Sequence, residues 1–78
     1  MSQQPIPPDV LQHRARVGRR IRDARAERGW SQEALAERAG IGRHSVYRTE
    51  LATHSASLDH LTLIAHALGV PLHELVRE

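Results

Sequence analysis

Three residues, Gly40-Ile41-Gly42, separate two short stretches of helical periodicity in the middle of the chain, and so short a joint forces two helices into a tight corner. In the first stretch Leu35, Ala36 and Ala39 fall on one side of a helix that begins at Gln32. Gly40 permits the backbone to reverse, and Ile41 and Val46 bring the second stretch back to the same core. The residues this leaves outward on the second helix, Arg43, His44, Tyr47 and Arg48, are side chains that can reach base edges and phosphates.

The remaining composition narrows the fold further. Seventy-eight residues leave room for one domain with a small core, and with one Trp, one Tyr and no Phe that core must be filled by Leu, Val, Ile and Ala. The absence of cysteine excludes disulfide scaffolds, thiolate zinc sites and cysteine nucleophiles. No apolar run approaches the roughly 18 residues needed to span a bilayer, and residues 1–9 lack the apolar segment of a signal peptide, so a soluble, cytoplasmic protein is expected. The formal charge is only +2, yet ten Arg and five acids lie at or before Arg48 against one Arg and four acids after it. The basic first two thirds favour a polyanionic partner. All eleven basic residues are Arg, whose planar fork suits phosphate and guanine, although coding bias accounts equally well for that choice.

Along the chain, the three prolines of residues 1–9 predict an arm over 1–8 and a helical domain over 9–78. Asp9 is a fair cap for a first helix reaching about Arg28, with Val10, Val17, Ile21 and Ala24 on one face and Gly29 as its stop. The arginines on its other faces are either a solvated surface or a contact for the polyanion. Ser31 caps the helix 32–39, and the next runs from about 43 to 50. Ser57 caps a fourth helix with Leu58, Leu61, Ile64, Ala65 and Leu68 as its apolar stripe, Gly69 ends it, and Pro71 opens a short fifth helix with Leu72, Leu75 and Val76.

Taken together, VGRRIRDARAERGWSQEALAERAGIGRHSVYRTE and the later SLDHLTLIAHALGVPLHEL resemble the Cro and phage-repressor (XRE-like) class of helix-turn-helix proteins, from about Val17 to Leu75. The resemblance implies an all-α, five-helix, lambda-repressor-like domain that binds DNA as a homodimer, with the helix over 43–50 in the major groove and the helix-turn-helix over 32–51. It implies base readout by Arg43, His44, Tyr47 and Arg48, any of which can instead grip phosphate, and phosphate contacts from Gln32 and Ser45. Arg25 and Glu50 correspond to a pair that joins the first helix to the end of the third, and Gly40 to the turn glycine. The chain departs from the pattern at Thr49, where a large aliphatic residue is usual, and at Ala52 and Ala56, where glycine and proline are common; Leu51 is the residue able to replace the lost core volume.

Other chemistry finds little support. His13, His44, His54, His60, His66 and His73 include no i, i+4 pair, so no metal or other cofactor is expected, and no enzyme activity. The expected function is that of a transcription regulator acting on a near-palindromic operator, with Leu72, Leu75 and Val76 at the dimer interface. The length favours a stand-alone regulator, such as the short controller proteins of restriction-modification systems or the phage Cro-like repressors. The alternative is an antitoxin, whose main partner would be a toxin protein and whose DNA binding would be secondary.

Overall fold

A computed structural model describes residues 5–78 and contains five helices in the order α1 (Pro8–Glu27), α2 (Gln32–Ala39), α3 (Arg43–Leu51), α4 (Leu58–Leu68) and α5 (Leu72–Val76). There is no strand among the described residues. Half of the expected arm, residues 1–4, lies outside them.

Local chemistry sets most of the boundaries. The Ser31 hydroxyl accepts from Ala34 N at 3.0 Å and that of Ser57 from His60 N at 3.0 Å, so both helices start on a side-chain cap. Gly40 ends α2 in the left-handed region (φ 72°), and Ile41 N closes back on Ala36 O at 3.0 Å, which makes the corner into α3. At α1 the cap differs from expectation. Pro8 takes the first helical position, where its missing N–H leaves nothing unsatisfied, and Asp9 sits inside the first turn rather than capping it.

The core is assembled from every helix: Val17 and Ile21 of α1, Leu35, Ala36 and Ala39 of α2, Val46 of α3, Ile64, Ala65 and Leu68 of α4, and Leu75 of α5. Trp30, Ile41, Leu61, Leu72 and Val76 pack against its edge. Three apolar residues expected inside are not. Val10 is exposed because α1, about 30 Å long at 1.5 Å per residue, overhangs the shorter helices that cover its second half. Leu58, in the first turn of α4, is likewise uncovered, and Leu51 is 54% exposed and does not replace the aliphatic volume missing at Thr49. Thr49 itself is buried, and its hydroxyl donates to Ser45 O at 2.7 Å within α3.

Two backbone features fix how α3 meets its neighbours. At Gly18, in the middle of α1, an added Cβ would lie 2.6 Å from Glu50 O and 2.7 Å from Thr49 O, so only glycine lets the end of α3 cross α1 this closely. Ala52 closes α3 in the left-handed region (φ 59°), the one non-glycine residue with positive φ among those described. Such a conformation costs an alanine about 1–2 kcal/mol.

Gly18→Ala is therefore expected to destabilise the domain by about 1–3 kcal/mol, although alanine is the better helix former. Ala52→Gly is expected to stabilise it by about 0.5–1 kcal/mol, the relief of strain being partly offset by added freedom in the unfolded chain. Urea unfolding followed by circular dichroism reads both; a Gly18→Ala protein at least as stable as the parent would show that the α1–α3 crossing is not close.

Candidate nucleic-acid interface

Helix α3 buries Val46 and Thr49 and turns Arg43, His44 and Tyr47 to solvent, Tyr47 being 46% exposed. Its rotation is set by one carboxylate. Glu50, with a side chain only 3% exposed, accepts from Arg25 Nε at 2.7 Å through Oε2 and from Arg25 Nη2 at 2.8 Å through Oε1. Arg25 also donates from Nη1 to Trp30 O at 2.9 Å, and Gln32 Nε2 donates to Glu50 Oε1 at 3.1 Å. The hydrogen bonds Arg25 donates to Glu50 hold its guanidinium above its ordinary pKa against the opposing effect of burial. A bidentate fork and a third donor from another helix leave the carboxylate one geometry, and α3 one register against α1 and α2.

Gln32 thus has a structural bond as well as a place in the exposed surface. It lines a shallow cavity of about 300 Å³ with Arg43, His44 and Tyr47. The rings of His44 and Tyr47 stack, with centroids 6.1 Å apart and planes at 20°, so these two side chains form one platform rather than two independent probes. Arg48 does not join this group. It lies on the other flank of α3 with Ser45, facing the loop before α4, and its Nε is buried with no hydrogen-bond partner.

Part of the basic character of α1 and its C-terminal cap is engaged inside the fold, through Arg20, Arg25 and Arg28, while Arg19 and Arg22 are exposed. Arg28 donates from Nη1 to Ala24 O at 2.6 Å and from Nη2 to Leu68 O at 2.7 Å, so it satisfies carbonyls at the ends of both α1 and α4. Arg20 reaches Leu75 O at 3.1 Å and also Arg77 O, and so anchors α5. The Arg38 guanidinium sits 4.2 Å from the centre of the Trp30 ring. Sequence reasoning missed the roles of Arg20 and Arg28, since a guanidinium bonding carbonyls 40 or 55 residues away leaves no periodic trace. The Gly18 contact had a signal: a glycine inside a helical pattern marks a close backbone approach.

Of the residues expected at a dimer interface, Leu75 is 3% exposed and belongs to the protomer's own core. Leu72 and Val76 remain half-buried at its edge. Among the described residues no group of three or more His, Cys, Asp or Glu could hold a metal ion. No helix among them is long and apolar enough to cross a membrane.

A short α2, a glycine corner and an α3 whose polar face is held outward define a helix-turn-helix domain. The family description "Helix-turn-helix" matches residues 21–75, and the chain belongs to that family. Over 59 residues it is 37% identical to the cryptic phage CTXphi transcriptional repressor RstR of Vibrio cholerae, a match covering 76% of this chain; the chain spans about half, 53%, of that relative's length. The crystal structure of the restriction-modification controller protein C.AhdI from Aeromonas hydrophila superposes with a TM-score of 0.77 at 33% identity, covering 86% of this chain and 97% of that one. The biofilm master regulator SinR, solved in complex with DNA, superposes with a TM-score of 0.70 at 32% identity, covering 76% and 95%.

Because the Arg25–Glu50 pair is largely buried, Glu50→Ala strands a guanidinium and is expected to cost about 3–5 kcal/mol. Thermal melting checks it. An unchanged midpoint would mean that the pair does not set the register of α3.

Proposed function

We propose that the chain is a sequence-specific, double-stranded DNA-binding transcription regulator that acts in the cytoplasm as a homodimer on a near-palindromic operator. The observation that carries this reading is the exposed platform of Arg43, His44 and Tyr47 on a helix whose rotation is locked from behind by Glu50. A major groove admits one α-helix, and its base edges are read by forks and by donor–acceptor pairs of the kind Arg43, His44 and Tyr47 supply. Arg48 and Ser45 stand at the edge of the same helix, and Gln32, in the first turn of α2, would meet a phosphate with the positive end of that helix behind it. The similarity to a phage repressor and to a regulator solved with DNA supports the same direction.

A single protomer offers one recognition helix. Pairing through the half-buried Leu72 and Val76 of α5, with Leu75 retained in the core, would set two recognition helices about 34 Å apart, one turn of DNA. The DNA-binding unit expected over 9–78 would then begin one residue earlier, at Pro8, and leave 1–7 as a tail without a basic residue.

Fluorescence anisotropy on a panel of operator variants tests the assignment of roles. Arg43→Ala is expected to cost about 1–3 kcal/mol and to relax preference at one base pair, whereas Gln32→Ala weakens all sequences alike. Affinity should fall steeply between about 50 and 200 mM salt, and a flat salt dependence would contradict a phosphate-rich interface.

A further inference from the structure

The first half of α1 overhangs the shorter helices, and a cavity of about 240 Å³ lies beneath it. Val10, His13, Arg14 and Val17 fall at i, i+3, i+4 and i+7, one face of α1, and meet Leu61 of α4 and Val76 of α5 around this space. Thr49 near the end of α3 and the loop residues His54, Ser55 and Ala56 complete the lining. The α1 face is apolar at its two ends and basic in the middle.

That pattern selects a ligand chemistry. Among the described residues Arg14 enters no ion pair, and no Asp or Glu lines the cavity, so a half-buried guanidinium stands beside apolar walls without a counter-charge. His13 adds a donor rather than an acceptor. Its Nδ1 lies 3.2 Å from Arg16 Nη1, and because a guanidinium only donates, Nδ1 accepts and the neutral ring carries its proton on Nε2. Mostly apolar walls with a few polar groups that fix orientation are the usual make-up of a small-molecule site. Volume limits the size. A dry apolar cavity of about 150 Å³ holds a benzene ring, so this one has room for a single ring or a branched chain together with a small polar head.

We propose that this cavity binds a small carboxylate with a compact apolar body of about ten non-hydrogen atoms. The body lies on Val10, Val17, Leu61 and Val76, and the carboxylate pairs with the Arg14 fork, which accommodates both of its oxygens. Such a ligand covers Val10, an apolar side chain that the fold leaves 48% exposed, and supplies the charge that Arg14 lacks. The proposal is independent of the DNA-binding reading.

The test is an NMR titration of the isotope-labelled full chain with phenylacetate, benzoate and 4-methylpentanoate, each beside its uncharged amide. At least one acid is expected to give saturable shifts of the Val10, Leu61 and Val76 methyls with half-saturation near about 1 mM, and its amide to bind at least about ten-fold more weakly. Arg14→Gln is expected to weaken the acid about ten-fold and to leave the amide's affinity as it was, which also shows that the variant is folded. Val10→Trp, which places a large ring at the cavity from a position outside the core, is expected to abolish both. Equal binding of acid and amide with no response to Arg14→Gln would make the cavity a non-selective apolar one and overturn the proposal. So would the absence of saturable shifts with every acid up to about 50 mM. Shifts of the same methyls that follow protein concentration, and that no acid reverses, would assign the surface to a second copy of the chain and overturn it as well.

Discussion

A buried carboxylate holds this domain together. Glu50 receives two bonds from Arg25 of α1 and one from Gln32 of α2, so a single side chain near the end of α3 ties three helices. A buried ion pair adds little stability compared with a well-packed apolar substitute, because desolvation offsets most of the attraction. Its contribution is geometric. A leucine at position 50 could fill the space in several rotations of α3, whereas the fork of Arg25 accepts one, and that rotation sends Arg43, His44 and Tyr47 outward together.

The rest of the structure follows from holding α3 in that position. Gly18 removes the side chain that would keep α3 away from α1, so the carbonyls of Thr49 and Glu50 can lie on its backbone. Val46 then joins the core cluster that also holds Ile21, Leu35 and Ile64, all fully buried. Arg28 and Arg20 close the open ends of α4 and α5 onto α1, so that α1 packs against α3, α4 and α5 while α2 packs against α3 and α4. Intramolecular bonding thereby accounts for Arg20, Arg25 and Arg28, and leaves Arg19 and Arg22 exposed on the first helix. The polar surface around α3 consists of the platform, the groove beside Arg48, and Gln32 between α2 and α3.

Much of this was legible in the sequence because it is local. Ser31 and Gly40, Ser57 and Gly69 mark their helices by capping chemistry that depends on a few neighbouring residues, and α2 and α4 begin and end where those residues fall. Periodicity located the inward positions Val17, Ile21, Leu35, Val46, Ile64 and Leu68. It misplaced Val10 and Leu58 because a periodic pattern identifies a face and says nothing of whether a neighbour reaches far enough to cover it. The sequence offers Leu72, Leu75 and Val76 alike to a dimer interface, and the structure draws Leu75 into the core, because a five-residue helix has too few turns to show which side packs. The Arg25–Glu50 pair entered through the family resemblance alone, since 25 residues separate its members. The division of α3 into a crest with Arg43 and a flank with Arg48 needed the path of the following loop, which the substitutions at Ala52 and Ala56 obscure.

Under the proposed function, α3 held in one rotation reads DNA sequence and two copies read it together. Selection of binding sites from random duplex DNA with the parent protein tests it most directly. A two-fold symmetric motif whose half-sites are centred about 10 base pairs apart is expected. Recovery of no enriched sequence, or of a single asymmetric site bound by one protomer, would contradict it.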